Sequence, residues 1–128
     1  MNWIWVSLEV ALAAHHEQLA EHGGGVGLRE AAMLESAMAR PQNRAAYGNP
    51  DAADLAAAYA FGIARNHPFI DGNKRAALVV SETFLTLNRY AITAPDPELV
   101  TVFMILASGE FNEIELSSWF RDNCLHSI

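Results

Sequence analysis

Nine consecutive residues, His67-Pro68-Phe69-Ile70-Asp71-Gly72-Asn73-Lys74-Arg75, bring an imidazole, a carboxylate, an amide and two cations into one short stretch. His67 has the side chain suited to general-base work, because an unperturbed imidazole titrates near cellular pH. Asp71 offers hard carboxylate oxygen, the ligand type that Mg²⁺ takes when it bridges to nucleotide phosphates. Gly72 lets backbone approach a phosphate closely. Asn73 can donate its side-chain amide to a phosphate oxygen while helping to cap a helix. Arg75 can clamp a phosphate through two parallel hydrogen bonds, and Lys74, the only lysine of the chain, adds a point charge. A helix-length apolar segment, Ala76 to Leu87, follows at once. Gly72-Asn73 therefore marks a loop entering a helix N-terminus, whose free N–H groups and partial positive charge suit an anion. Lys74 and Arg75 in the first turn oppose the helix dipole, an arrangement relieved when an anion arrives. The chemistry these parts serve is phosphoryl or nucleotidyl transfer.

Other chemistries fit less well. Gly72-Asn73-Lys74-Arg75 lacks the spaced glycine and the Ser/Thr of a Walker loop. His67 and Asp71 could hold a catalytic zinc, but no HExxH or other third ligand stands at a recognisable spacing. There is no G-x-S-x-G elbow for a serine triad. His15 and His16 point in different directions on a helix, so at most one could join a given site, and structural or surface roles fit them better. Cys124, the sole cysteine, sits near the end of the sequence, poorly placed for a nucleophile.

At 128 residues, 52% of them hydrophobic, the chain has the size of one domain with a proper core. A net charge of −7 opposes broad nucleic-acid binding. Within that acidic background Arg65, Lys74 and Arg75 fall inside eleven positions, as a local anion site would require. One cysteine allows no internal disulfide and points to a reducing compartment. The opening Trp3–Ala14 lacks a basic flank and is interrupted by Ser7 and Glu9, so no signal peptide is expected. No stretch reaches membrane-spanning length, and a soluble cytoplasmic protein is expected.

The elements that must position the motif read as helices. Ser7 caps a helix from Leu8 to about His22, with Leu8, Leu12, His15 and Leu19 facing inward and Gly23-Gly24-Gly25 ending it. A second spans Leu28 to Ala39, with Leu28, Ala31, Ala32, Glu35 and Ala39 along one side, and Pro41 closes it. Residues 41–50 then read as an exposed loop, either a plain connector or a short flap over the site carrying Tyr47. Asp51 caps a third helix to Asn66, buried along Leu55, Tyr59, Gly62 and Ile63, and stopped by Pro68. The motif helix follows from Asn73 to about Arg89, apolar on nearly all sides as a central helix would be. Asp96-Pro97-Glu98 opens a fifth helix to about Ala107. Asn112 caps a last one from Glu113 to about Asn123, with Leu116, Trp119 and Phe120 inward. No strands are expected. The fold class is all-α, a bundle of about six helices around a buried central one.

The motif His67-Pro68-Phe69-Ile70-Asp71-Gly72-Asn73-Lys74-Arg75 resembles the signature of the Fic/Doc superfamily, and specifically its Doc (death-on-curing) branch. A looser likeness extends over Gly27-Leu28-Arg29, Leu34-Glu35-Ser36, Ala39-Arg40-Pro41-Gln42, Gly62-Ile63-Ala64-Arg65-Asn66 and Ser108-Gly109-Glu110. Fic enzymes, which transfer AMP, usually have glycine where Lys74 stands and a second arginine where Leu78 stands. Doc-like members share the lysine and bind ATP reversed, with the γ-phosphate at the histidine. The resemblance thus implies a kinase for a protein hydroxyl, in Doc a threonine of elongation factor Tu. It implies His67 as the base, Asp71 as the Mg²⁺ ligand, and Gly72, Asn73, Lys74 and Arg75 at the phosphates. Arg65 would steady the nucleotide or the target. Fic-type AMP transfer is the alternative, and a silent protein-binding module a further one, against which the intact His67, Asp71 and Asn73 speak. The inhibitory Ser/Thr followed four residues later by Glu, carried by many Fic proteins, is absent from this sequence. Restraint would then come from a Phd-type antitoxin whose disordered tail folds into a groove.

Overall fold

The computed structural model describes residues 2–127. It contains six helices and one two-stranded sheet: α1 Leu8–His22, α2 Ala31–Ala46, α3 Ala52–Asn66, α4 Asn73–Leu87, β1 Tyr90–Ile92, α5 Asp96–Ala107, α6 Glu113–Asp122 and β2 Cys124–His126. The all-α expectation describes the body of the molecule. None of the described helices is long and apolar enough to cross a membrane.

The hub is α3, rather than the motif helix expected there. It packs against α2, α4, α5 and α6, and it buries Ala52, Ala53, Ala56, Ala57, Ala58 and Ala60 with Leu55, Tyr59 and Ile63. Small side chains are what let four neighbours approach one helix. At Gly62 an added Cβ would come within 3.3 Å of Ala37 Cα, so α2 lies close against α3 there. The motif helix α4 is buried on one face, through Ala76, Ala77, Val80, Phe84 and Leu85. Phe84 stacks on Trp5 and meets Tyr59 at a tilt; the Tyr59 hydroxyl accepts from Val6 N–H at 3.0 Å and is pushed up to about pKa 12 by burial.

Helix α1 starts and ends as expected, with Ser7 Oγ accepting from Val10 N–H and Gly23 at φ +74°. Its buried residues are Ala11 and His15, while Leu12 stays exposed. Helix α2 departs from expectation at both ends. Leu28 forms an isolated bridge with Phe69, and the N–H groups of Arg29 and Glu30 both donate to Pro68 O. With that backbone committed to the motif loop, the helix begins only at Ala31. Pro41 sits inside the helix instead of closing it. An internal proline costs about 3 kcal/mol. Here its ring is buried, and Arg40 and Arg44 on either side of it both pair with Glu113 of α6, which holds the turn together. The side carrying Ala31, Ala32, Glu35 and Ala39 faces solvent, and Leu34, Ala37, Met38 and Pro41 pack inward. Residues 41–46 are therefore helical, and the expected flap shrinks to a link of four residues, 47–50, with Tyr47 91% exposed.

The strands are the other departure. β1 pairs antiparallel with β2, Ala91 opposite Leu125, and Tyr90 stacks on His126 at 4.5 Å. The turn into β1 is made by Arg89 at φ +66°, so α4 ends before the expected boundary.

Candidate active site

Two helix ends build the motif loop. Helix α3 closes on His67 in left-handed geometry, φ 51° and ψ 54°, with its N–H on Ile63 O at 3.1 Å. Pro68 then forbids continuation. Arg29 caps this end from outside: Nε donates to His67 O at 2.7 Å and Nη2 to Asn66 O at 2.9 Å. A cation on the last carbonyls of a helix is favoured by the dipole. Helix α4 opens on Gly72 at φ +77°, without a side-chain cap. The first N–H of α4 to find its helical acceptor is that of Ala76, on Gly72 O at 2.9 Å. Those of Asn73, Lys74 and Arg75 precede it and have no acceptor within the helix.

Asn73 ties the loop together. It is 5% exposed, its Oδ1 accepts from Phe69 N–H at 2.9 Å, and its Nδ2 donates to Phe69 O at 2.9 Å and lies 3.0 Å from His67 Nδ1. Both amide hydrogens are thereby used inside the loop. The expected donation from this side chain to a phosphate is replaced by bracing of His67, and what Asn73 has free is its backbone N–H. Phe69, 1% exposed, anchors the loop in the core.

A second support comes from residues the sequence reading left aside. His15 of α1 is buried, stacks on Phe69 with ring centroids 3.7 Å apart, and has Nε2 2.7 Å from Asp71 O. The glycine run after α1 lies against the same carboxylate. Gly25 N–H donates to Asp71 Oδ2 at 3.4 Å, and Gly72 N–H to Oδ1 at 2.8 Å. At Gly24, φ +126°, a Cβ would sit 2.9 Å from Asp71 Oδ2. The glycine run thus does more than end a helix: Gly23 ends it, and the bare backbone of Gly24 and Gly25 is a wall against Asp71. The helical spacing of His15 hinted at burial, but nothing in the sequence joined it to the loop.

His67, Asp71, Asn73 and Lys74 line one cavity of about 190 Å³ with Ala64 and Ala107. His67, Ala64 and Ala107 also line a neighbouring cavity of about 370 Å³, together with Arg65, Phe61 and the Ser108–Asn112 turn. Arg65 and Phe61 continue into a groove of about 680 Å³ between α2 and α3. Of the expected residues His67, Asp71, Asn73 and Lys74 share the small cavity; Gly72, Arg75 and Arg65 do not line it, and Arg65 stands on the two larger ones. Asp71 is exposed and its carboxylate already accepts two N–H groups, which leaves lone pairs for a cation. No cluster of three or more His, Cys, Asp or Glu is placed to hold a metal among the described residues. A single carboxylate suits Mg²⁺ that arrives on nucleotide phosphates, not one held by protein alone.

The class is defined by this helical bundle, with an imidazole and a carboxylate brought to a glycine-led, cation-bearing helix start. The chain belongs to the Fic/Doc family, on its Doc branch: residues 5–85 match the Fic/DOC family model. It is 31% identical over 118 residues to the protein kinase doc of Escherichia phage P1, covering 91% of this chain and 92% of that one. It is 41% identical over 75 residues to the toxin Doc of Mycolicibacterium smegmatis, covering 56% and 57%.

Proposed function

We propose that this protein is a Doc-like toxin, an ATP- and Mg²⁺-dependent kinase for a hydroxyl side chain of a translation factor resembling elongation factor Tu. The observation that carries the reading is Lys74 at the cavity with His67 and Asp71, on a helix start with no cap. The lysine fills space that a glycine would leave to the nucleotide, which favours the γ-phosphate, over the α-phosphate, beside His67. The backbone N–H groups at the start of α4, with Lys74 and Arg75, hold phosphate oxygens. Asp71 is the carboxylate that would hold Mg²⁺, and the ion when bound would neutralise phosphate charge. Arg65, on the wall shared by the two larger cavities, steadies the nucleotide or the target. His67 takes the proton of the attacking hydroxyl, and positioning with charge stabilisation does the rest. The names of the relatives, a kinase and a toxin, support this reading and imply an antitoxin partner. In the reading that partner is of Phd type, and the protein works in the cytoplasm.

The deciding experiment incubates the protein with a translation extract and with ATP labelled at either the α or the γ position. The expected result is protein-bound label from the γ position alone. Label from the α position alone would replace the kinase by an AMP transferase. Nucleotide binding with no transfer from either would leave a binding module.

A further inference from the structure

We infer that Asn73 holds His67 with its ring proton on Nε2 in the nucleotide-free protein. The ring then enters the reaction as a hydrogen-bond donor and becomes a base only when the Asn73 contact opens. The inference deepens the kinase reading and rests on it for the role of the ring.

The argument begins with the Asn73 amide, whose two ends are distinguished only by their partners. The end 2.9 Å from Phe69 N–H must be oxygen, because that backbone group can only donate. The end 2.9 Å from Phe69 O must be nitrogen, because a carbonyl can only accept. Turning the amide over would oppose oxygen to oxygen and N–H to N–H in a residue 5% exposed. A buried mismatch of that kind would leave each of those polar groups desolvated and unsatisfied. The orientation is therefore set by the backbone. The second hydrogen on Nδ2 then points at His67 Nδ1, 3.0 Å away, and that ring nitrogen must meet it with a lone pair. A neutral imidazole that accepts at Nδ1 carries its proton on Nε2.

The consequence is chemical. A base acting through Nε2 needs a lone pair there, and this tautomer offers a hydrogen instead. That hydrogen suits an anionic phosphate oxygen, so the first act of the ring is to bind. Base action follows in a balanced sequence. The Asn73 contact opens, water gives a proton to Nδ1 while Nε2 returns its own proton to that water, and the freed Nε2 lone pair then accepts the hydroxyl proton to leave an imidazolium protonated on both nitrogens. The exposed side chain of His67 has room to turn. Asn73 is in this sense a positioning residue that sets the starting protonation of the catalytic ring.

The test is ¹⁵N imidazole NMR on the full chain without nucleotide, at about pH 8.5, roughly two units above the ordinary imidazole value. The exposed His16 serves as internal reference for a freely averaging ring, and His67→Gln assigns the signal. His67 should show an Nε2-bound proton and an unprotonated Nδ1, displaced from the averaged pattern of His16. Asn73→Ala should move it toward that pattern, and Asn73→Asp, which presents an acceptor, should move the proton to Nδ1. An Nδ1-bound proton in the unmodified chain, or a pattern indistinguishable from His16, overturns the inference. The unmodified chain decides even if the variants fold poorly. The signal requires no ATP, so its failure is separable from failure of the labelled-ATP assay.

Discussion

Two kinds of helix start coexist in this molecule. Helices α3 and α6 open on reciprocal capping boxes. Asp51 accepts from Asp54 N–H at 2.9 Å while Asp54 accepts from Asp51 N–H at 3.1 Å, and Asn112 with Glu115 repeats the device at 2.8 and 3.1 Å. Both have acidic first turns, in agreement with the dipole. Helix α4 has a left-handed glycine, no side-chain cap, and Lys74 and Arg75 in its first turn. Helices α2 and α5 also start without a side-chain cap, but only α4 among these starts sets cations against the dipole, a local cost that the proposed anion site would offset. Of the two N–H groups each box satisfies, the N-cap one in α4, on Gly72, is taken by Asp71 Oδ1, while the one at the third helical position, on Arg75, has no side-chain acceptor.

The sharpest break in that comparison is at the imidazole. Removing a positioned proton acceptor costs about 10²–10⁴-fold in rate. His67→Ala should therefore abolish toxicity and γ-label transfer while the thermal midpoint stays near that of the parent. Retained toxicity in a growth assay would sink the catalytic assignment. Next in size is Lys74→Glu, which gives α4 the acidic first turn its neighbours have. Unfolding in urea should become harder by about 0.3–1 kcal/mol, the usual dipole gain. Nucleotide affinity by calorimetry should fall at least about a hundredfold, a loss of roughly 2.7 kcal/mol. Opposite signs in the two measurements are the signature of a start kept bare for function.

Gly24→Ala probes the wall beside the bare start. Its Cβ would meet Asp71 Oδ2 at 2.9 Å, from a backbone at φ +126° that side chains rarely adopt. The carboxylate must move, and Mg²⁺-dependent nucleotide affinity should drop about tenfold, or roughly 1.4 kcal/mol. Affinity measured without the divalent ion should change less. Equal losses in the two conditions would mean that Asp71 is not the group displaced.

What the sequence revealed follows the same division. Local signals were legible: Ser7, Asp51 and Asn112 each cap the helix they precede, and the motif falls where a loop enters a helix. Signals that depend on distant partners were not. Pro41 reads as a stop until Arg40 and Arg44 are seen holding Glu113. Three-residue strands at 90–92 and 124–126 have no periodicity to show, and only their pairing makes them strands. The apolar face of α2 was misread because its alanines fit either side, and Leu34 and Met38 settle it only by burial. In the site, residue types announced His67 and Asp71 as chemistry. The brace at Asn73, the cap by Arg29 and the stack of His15 on Phe69 are contacts of geometry, and geometry alone reveals them.

The capped side of the comparison yields the smallest effect and the most specific one. Arg121 of α6 reaches across to the α3 box, with Nε 2.8 Å from Asp51 Oδ2 and Nη2 2.9 Å from Asp54 Oδ1. The Arg121 hydrogen bond is the main reason the Asp51 carboxyl is held down to about 2 from its ordinary 3.8, against an opposing contribution from burial. For a carboxyl depressed on folding, the stabilisation is fully present above the ordinary value and is lost as pH falls through the folded one. Asp51 and Arg121 are both about half exposed, so solvent screens the pair and the expected gap is about 0.5–1 kcal/mol. Arg121→Ala should accordingly unfold at lower urea at neutral pH, and the two curves should converge between about pH 4 and pH 2. A gap that persisted unchanged at the acid end would assign the loss to packing of the arginine stem and not to the ion pair. Nucleotide affinity at neutral pH should be untouched, because the network ends on the α3 box and none of its side chains reaches α4.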